Sequence, residues 1–439
     1  MERRIQSRTA TKLLQISKVS QDKPSYRFTS LASLLDEEYL KDSYVTLKKT
    51  KASGVDEVSV TEYGEHLEEN LRALIGRMKS QSYRPQSVKR AYIPKAGGGM
   101  RGLGIPAVED RIVQKAIAGI LEAIFEPNFI EESYGFRRGR DCHDALKRLD
   151  EEIMNKPVNY IIEADIKGFF DNVDHKWLTK FIEHRINDLN LVRIIVRFLK
   201  AGIIEEGKSM KTEQGTPQGG NISPILANIY LHYVLDIWFK HYLKKKLTGY
   251  SEIVRYADDF IIVAANQHDC DVVLTELTER LTKFGLELSK EKTKVIRFSK
   301  LFYHKDKADN KSETFDFLGF THYLGKSRKG NIMLKRKTCK KRFSRRVQEM
   351  KEYLKANRNR LKLPELWQVL RSKLTGHYRY YGVSSNSRSI ENYYDKVVRL
   401  IHQWLNRRSQ RSSFNWLDFN KYLKSHGLPK PKIYVNFYT

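Results

Sequence analysis

Hydrophobic positions recur at helical spacing in the first part of the chain. Between residues 31 and 78 they follow a period of about 3.6 residues, and a turn-like stretch at residues 52–56 interrupts them. This pattern is typical of amphipathic helices on either side of a loop. The chain is therefore expected to begin with a helical lobe.

Beyond residue 85 the spacing of the hydrophobic positions changes from a helical pattern to one that is typical of β-strands. Residues 88–94 form a predicted strand that leads into a glycine-rich turn, and residues 100–105 form the return strand. The resulting β-hairpin would carry Lys95 and Arg101 on its two arms.

The centre of the chain alternates predicted strands and helices. Residues 159–164 form a short apolar strand that ends at Asp165, and residues 252–264 form two strands joined by a turn at Asp258 and Asp259. Helical patterns lie between these two regions. The alternation predicts an α+β fold whose strands carry acidic residues at their ends.

A basic segment opens the last part of the chain. Residues 326–346 contain eleven Lys or Arg residues and no Asp or Glu, and a helical pattern then continues to residue 404. A solvated helix face is the simpler explanation, but like charges at this density repel one another and favour a phosphate-rich partner. These changes of pattern predict three regions, at residues 1–85, 86–325 and 326–439.

The overall charge points to a polyanionic partner. Lys and Arg number 80 against 52 Asp and Glu, which gives a formal net charge of +28. A basic membrane-binding protein would share this charge, but the sequence shows no signal peptide and no apolar run of the ~18 residues that a spanning helix needs. We therefore expect a cytoplasmic protein that binds nucleic acid and no membrane. Its three cysteines are widely separated, so no disulfide framework or paired-cysteine zinc site is expected.

Three aspartates stand out by their setting. Asp165 ends one apolar strand, and Asp258 and Asp259 lie side by side between two others. An exposed hairpin turn would explain the pair alone, because Asp-Asp is common in turns. Carboxylates delivered by separate strands are also what magnesium ions that handle phosphates require. The third aspartate therefore favours a metal site over a simple turn.

Two motifs resemble those of one enzyme family. Tyr256-Ala257-Asp258-Asp259 resembles the signature turn of reverse transcriptases, and residues 164–173 resemble the first catalytic motif of the enzymes encoded by bacterial group II introns. The likeness extends over most of the chain. It implies a right-hand polymerase with helical and β fingers, an α/β palm and a helical thumb, which copies RNA into DNA.

The resemblance also implies a metal site. Asp165, Asp258 and Asp259 would bind two Mg²⁺ ions, for which Mn²⁺ could substitute, and the backbone carbonyl of Ile166 would add a ligand. Lys292 would protonate the departing pyrophosphate, with the neighbouring lysines as alternatives.

Further residues are implied around the nucleotide and the nucleic acid. Phe170 would lie beneath the incoming sugar, where its ring would collide with a 2′-hydroxyl and so select deoxynucleotides. Asp171 and Asp174 do not match the motif and are expected to be capping or surface acids. The other nucleotide contacts would be Lys95, Arg101 and Gln218, and the template and primer contacts would be Arg137, Arg140 and Gly319.

The carboxyl-terminal region resembles the thumb or maturase domain of intron-encoded proteins. This implies that an intron RNA is bound as well as an RNA template, a DNA primer or product, and deoxynucleotides, and that the protein assists splicing and retrotransposition. The chain resembles a form that lacks the carboxyl-terminal endonuclease. Two alternatives remain: a related reverse transcriptase that serves in defence or DNA repair, and a splicing factor that binds RNA without catalysis. Nothing in the sequence decides between a monomer and a homodimer.

Overall fold

The elements follow one another in the order that the sequence predicts. The computed structural model describes residues 8–94, 99–205, 208–210, 214–216, 219–301, 303, 313–407 and 414–438. Its strands are β1 (Val88–Pro94), β2 (Met100–Ile105), β3 (Tyr160–Asp165), β4 (Ile203–Glu205), β5 (Lys208–Met210), β6 (Ser251–Tyr256), β7 (Asp259–Ala264), β8 (Lys294–Arg297), β9 (Phe315–Phe317), β10 (Phe320–Lys326) and β11 (Ile332–Thr338). Its helices are α1 (Arg8–Asp22), α2 (Glu37–Val45), α3 (Val60–Glu65), α4 (Leu67–Lys79), α5 (Val108–Phe125), α6 (Cys142–Asn155), α7 (Phe169–Asn172), α8 (His175–Glu183), α9 (Leu189–Leu199), α10 (Ser223–Leu231), α11 (Ile237–His241), α12 (Gln267–Lys283), α13 (Lys340–Asn357), α14 (Leu363–Tyr381), α15 (Ser387–Leu405) and α16 (Trp416–His426).

Helices α1 to α4 form the amino-terminal lobe. The side chain of Asp36 accepts a hydrogen bond from the backbone N–H of Tyr39 and caps α2, and Ser59 forms a reciprocal capping box with Glu62 at the start of α3. The apolar faces of these helices pack on α5. The helical pattern between residues 31 and 78 is thus confirmed.

A four-stranded sheet in the order β2-β1-β4-β5 extends from this lobe. The hairpin of β1 and β2 pairs Ile93 with Arg101 and Tyr92 with Gly102, and β1 pairs in parallel with β4. This is the predicted hairpin. Lys95 lies outside the described residues, and so does the side chain of Arg101.

The central sheet has the order β6-β7-β3-β8, with antiparallel neighbours. Successive side chains of a strand point to opposite faces, and here both faces are buried. Ile162 and Ile262 pack against the core beneath the amino-terminal helices. Ile161 and Ile261 pack against the core formed with α6 and the carboxyl-terminal helices. The sheet is thus the layer that joins the two cores, and its strand ends present the acidic residues.

A three-stranded sheet in the order β11-β10-β9 leads into the carboxyl-terminal helices. Fully buried Arg336 on β11 pairs with Asp150 on α6 at 2.6 Å and so ties this region to the central sheet. The predicted boundary between residues 325 and 326 falls inside β10. The combination of helices with largely antiparallel sheets confirms the α+β fold class. Among the described residues, no helix is long and apolar enough to cross a membrane.

Candidate active site

The three aspartates meet at the end of the central sheet. Strand β3 ends with Asp165 and β7 begins with Asp259, and the register of the two strands places these residues directly opposite each other. Asp258 lies next to them in the two-residue turn between β6 and β7. The other turn residue, Ala257, has a φ of +59°, a conformation that side-chain-bearing residues adopt at some cost. The carboxylates are therefore presented by a strained turn that needs support from its surroundings.

Arg255 supports the turn from below. Its guanidinium is fully buried and donates to both oxygens of Asp236, at 2.7 and 2.5 Å. It also donates to the backbone carbonyl of Ala257 at 2.9 Å and to the side chain of Asn228 at 3.2 Å. A π-helical turn at His232–Asp236 places Asp236 at this point. The buried ion pair therefore holds the strained residue of the turn.

The segment around Gly135 supports the same turn from the side. The N–H of Tyr134 donates to the carbonyl of Arg255 at 2.8 Å, and Asn228 donates to the carbonyl of Gly135 at 2.8 Å. A Cβ atom on Gly135 would lie 2.2 Å from the backbone nitrogen of Ala257. Only glycine leaves room for this close approach.

This packing corrects one expected nucleic-acid contact. Arg137 pairs with Glu126 at 2.7 Å and donates to the carbonyls of Ile130 and Ser133, and its side chain is only 4% exposed. Such a guanidinium has no free face for a template. Arg137 is a structural residue that fixes the segment around Gly135.

Arg140 and Gly319 keep accessible positions. The half-buried Arg140 guanidinium lies over the Tyr134 ring at 5.4 Å and donates to the carbonyl of Glu131. Gly319 follows Leu318 in the turn between β9 and β10, and both have positive φ. A Cβ atom on Gly319 would lie 3.3 Å from the hydroxyl of Tyr381 on α14. Their expected contacts with template and primer stay predictions.

The charges at the site favour a bound cation. The side chain of Asp259 is exposed at the surface, but neighbouring protein atoms displace part of its hydration; this desolvation, followed by repulsion from Asp258, Asp165 and Glu163, raises its pKa to about 7. The ammonium group of Lys292 lies 2.7 Å from the carboxylate of Asp165. A positive group thus already contacts one of the expected metal ligands.

The backbone carbonyl of Ile166 fits the expected ligand set. The N–H of Lys167 donates to Glu287 and the N–H of Ser289 donates to Asp165, on either side of the pairing between Ile166 and Leu288. In an antiparallel pair with this pattern, the N–H and C=O of the central residue point away from the partner strand. Those of Ile166 therefore point towards the β7 side, where the aspartate turn lies.

A different cluster has metal-ligating atoms that already lie close together. In the described part of the chain, the only group of three such side chains with ligand atoms within 4.8 Å is Asp141, Cys142 and His143. Asp141 caps α6, and a ring nitrogen of His143 contacts the carbonyl of Tyr380 at 2.8 Å. Burial raises the pKa of Cys142 to about 11, so its thiol stays protonated. These groups are occupied in joining α6 to α14. Asp165, Asp258 and Asp259 do not form such a group among the described residues.

Phe170 lies on α7, the short helix that follows Asp165. Its ring meets the ring of core residue Phe169 at 5.2 Å and that of Phe136 at 6.5 Å, both edge to face. Phe136 is 52% exposed and has a φ of +60°. The sequence argument had not singled out this second aromatic beside the expected sugar position. Asp174 caps α8, as expected, by accepting from the N–H of Trp177 at 2.8 Å.

The loop expected to contact the nucleotide is bound to the backbone of this same segment. The N–H groups of Gly215 and Thr216 donate to the carbonyls of Val173 and Phe170, at 2.8 and 2.7 Å. His175 on α8 is buried, and its Nε2 contacts the carbonyl of Gly215 at 2.7 Å. Burial lowers the pKa of His175, which favours the neutral ring with Nε2 as the donor. Gln218, three residues further along the loop, lies outside the described residues.

Comparison with known proteins agrees with this geometry. The family "Reverse transcriptase (RNA-dependent DNA polymerase)" matches residues 93–322, which contain the end of β1, all of β2 to β9 and all three aspartates. The chain therefore belongs to the reverse transcriptase family.

The relatives place it near the proteins of group II introns. It is 35% identical over 346 residues to the group II intron-encoded protein LtrA of Lactococcus lactis subsp. cremoris, a match that covers 65% of this chain and 57% of LtrA. It is 33% identical to protein YkfC of Escherichia coli K12, covering 62% of this chain and 80% of YkfC. A third relative is a 91 kDa protein in the cob intron of Schizosaccharomyces pombe, 32% identical over 52% of this chain and 28% of that protein. The chain thus spans little more than half the length of LtrA.

Proposed function

We propose that this protein is an RNA-directed DNA polymerase that also acts as a maturase, assisting the splicing and retrotransposition of a group II intron. The observation that carries the polymerase proposal is the register of β3 and β7, which sets Asp165 opposite Asp259 beside the turn at Asp258. The maturase role is supported by the likeness to LtrA and by the basic segment at residues 326–346.

The ligand set suits two Mg²⁺ ions, or Mn²⁺ in their place. Asp165, Asp258 and Asp259 would hold them together with the carbonyl of Ile166, because hard oxygen ligands are what these ions prefer. Bound there, the ions would activate the primer 3′-hydroxyl and neutralise charge on the leaving pyrophosphate. Lys292, whose ammonium group lies 2.7 Å from the carboxylate of Asp165, would serve as the proton donor to pyrophosphate.

The remaining residues would position the substrates. Lys95 and Arg101 would bind the triphosphate, Gln218 the nucleotide and template base, and Phe170 would exclude a 2′-hydroxyl by its bulk. Arg140 and Gly319 are the proposed template and primer contacts. Arg137 is not part of this set.

The test of the polymerase proposal is deoxynucleotide incorporation on a primed RNA template with Mg²⁺. The variant carrying Asp258→Asn and Asp259→Asn should lose incorporation while it keeps its fold and its RNA binding. A control with Asp271→Asn and Asp395→Asn makes the same change of charge at exposed helix positions and should retain activity. Wild-type protein that folds and binds RNA but incorporates nothing would refute the polymerase and leave a splicing factor without catalysis.

The nucleotide pocket has its own test. Phe170→Val should leave deoxynucleotide incorporation largely in place and increase ribonucleotide incorporation, because the smaller side chain makes room for the 2′-hydroxyl. An unchanged preference for deoxynucleotides would show that another group makes the selection.

The maturase role is tested with a group II intron RNA, if the DNA around the gene encodes one. The protein should accelerate splicing of that RNA, and the Asp258→Asn, Asp259→Asn variant should do so equally well, because splicing chemistry belongs to the RNA. A polymerase that does not assist splicing would instead favour a role in defence or DNA repair.

A further inference from the structure

A groove lined by arginines runs between the amino-terminal lobe and α9. It consists of two cavities of about 850 and 630 Å³, and Arg193 and Arg197 line both. Helix α9 forms one wall, and α4 with the chain that follows it forms the other. Ala201 lines the smaller of these two cavities, and it also lines a third cavity, which Phe170 borders. One end of the groove therefore approaches the nucleotide side of the protein.

Two guanidinium groups in this groove share one neutral oxygen. Arg197 donates to the carbonyl of Tyr83 at 2.8 Å, and Arg84 donates to the same carbonyl at 3.1 Å. Arg84 also donates to the carbonyl of Gln81, and Arg193 to the side chain of Asn190 at 3.3 Å. Removal from water and the nearby charges of Arg84 and Arg193 lower the pKa of Arg197. Like charges are thus held close together by neutral acceptors.

Acidic side chains do little to neutralise this charge. Within the part of the chain that the structure describes, Arg84, Arg193 and Arg197 form no ion pair. Of the acids that line the groove, Glu37 contacts Arg72 and Asp36 caps α2. Glu183 is therefore the acid that could most readily pair with the arginines of the groove. Guanidinium groups in such a setting attract phosphates, which they can bind through two parallel hydrogen bonds.

The floor of the groove is apolar. Leu35, Ile75, Met78 and Ile194 line the larger cavity, and Leu189, which is 71% exposed, lies at the edge of the smaller one. A cationic wall beside an apolar floor suits an unpaired nucleic-acid strand, whose phosphates and base faces are both accessible. A duplex keeps its base faces stacked inside, and a peptide made of acidic residues alone offers little apolar surface to the floor.

We propose that this groove binds a single strand of RNA, with its phosphates on Arg84, Arg193 and Arg197 and its bases against the apolar floor. The proposal rests on the proposed function only in taking RNA as the partner. None of these residues belongs to the polymerase site. The strand is either the unpaired template ahead of the nucleotide site or a separate RNA molecule.

Photo-crosslinking locates the strand and distinguishes the two sources. A photoreactive amino acid at Leu189 should crosslink to RNA, whereas the same group at Val45, which is 73% exposed on α2, should not. In one arm the polymerase site is filled with a primer–template duplex, and a separate labelled RNA oligonucleotide is added. In the other arm the template itself carries a long unpaired 5′ extension. Crosslinking in either arm supports the binding of RNA in the groove. The arm in which it occurs shows whether the bound strand is a separate RNA molecule or the extension of the template.

Charge removal tests the role of the arginines. The variant carrying Arg84→Gln and Arg193→Gln leaves the bond from Arg197 to Tyr83 in place, and Lys147→Gln with Lys283→Gln is the matched control at exposed positions. If each arginine binds one phosphate, the groove variant should bind single-stranded RNA about tenfold more weakly. The slope of its affinity against salt should fall by about 1.4.

Several outcomes would overturn the proposal. Equal crosslinking from Leu189 and Val45 would do so, and so would equal RNA affinity of the groove variant and its control. Crosslinking of duplex RNA, or binding of a polyglutamate peptide as tight as that of single-stranded RNA, would show that the groove does not select an unpaired strand. Incorporation on a template without an extension, measured on the same preparations, reports the polymerase site alone and so separates a failure here from a failure of the proposed function.

Discussion

Removal of the Asp236 carboxylate should destabilise the protein severely and disturb the turn between β6 and β7 that carries Asp258. Asp236 and Arg255 are both fully buried, and two hydrogen bonds join them. Removing one partner of such a pair leaves an uncompensated buried charge, which costs about 3–5 kcal/mol. Asp236→Ala should therefore lower the free energy of unfolding by about that amount.

A double variant separates the stability of the protein from the support of the turn. Asp236→Leu combined with Arg255→Met removes both charges and keeps similar volumes, so most of the lost stability should return. The carbonyl of Ala257 would still lose its donor at 2.9 Å. Loss of a hydrogen bond from a charged donor is worth about 1.5–3 kcal/mol, and we therefore expect incorporation to stay at least about tenfold below that of the wild type.

Urea unfolding followed by circular dichroism gives the stabilities, and incorporation is measured at a temperature where every variant is folded. Glu68→Ala is the control, because Glu68 pairs with Lys41 at the surface, where their side chains are 60% and 51% exposed, and a pair of this kind contributes about 0–1 kcal/mol. An Asp236→Ala protein that unfolds at the wild-type urea concentration would refute the energetic argument. A double variant with full incorporation would refute the supporting role of Arg255.

Three further variants probe other parts of the molecule. Lys292→Met should slow single-turnover incorporation by about 10²-fold or more if Lys292 is a general acid, and an unchanged rate would exclude that role. His175→Leu should raise KM for deoxynucleotides more than it lowers kcat, because the carbonyl of Gly215 loses its donor; His175→Gln, which can still donate, should restore KM, and equal defects in both variants would contradict a positioning role. Burial lowers the pKa of His377 to about 3, well below the usual value of about 6.5. As the pH falls, the histidine is therefore protonated in the unfolded chain before it is protonated in the folded protein. The contribution of the neutral His377 to the free energy of unfolding is fully present above about pH 6.5 and is lost as the pH drops towards 3. The variant His377→Phe should lose less free energy of unfolding than the wild type as the pH is lowered across this range.

The sequence was informative where function depends on a local pattern. The strand that ends at Asp165 and the turn at Asp258 and Asp259 were found because apolar runs bound them, and β3, β6 and β7 confirm those elements. Two neighbouring tyrosines show what a helical pattern leaves open. Tyr381 is buried and Tyr380 half-buried, because α14 turns only part of its aromatic surface into the core.

The supports of the site depend on contacts between residues far apart in the chain. Gly135 touches Ala257 and Asn228 touches Gly135, and no periodic pattern links these positions. One signal was present, since Arg255 is a charged residue inside an apolar strand and such a residue needs a buried partner. Nothing in the sequence identifies Asp236 as that partner. For Arg137 the family resemblance implied a template contact, but backbone carbonyls and Glu126 satisfy its guanidinium instead.

The residues that support the site explain how neighbouring carboxylates that repel one another can be held together before any cation binds. Desolvation, and after it repulsion from the neighbouring acids, raises the pKa of Asp259, and Ala257 adds backbone strain. The register that opposes Asp165 and Asp259 is nevertheless set by the pairing of β3 with β7 from Tyr160 onwards, and by side chains buried on both faces of the sheet. The hydrogen bond from Arg255 then fixes the turn. Cations would therefore bind to aspartates whose backbone is already in place, and only short side-chain movements, such as the release of Asp165 from Lys292, would remain to complete the site.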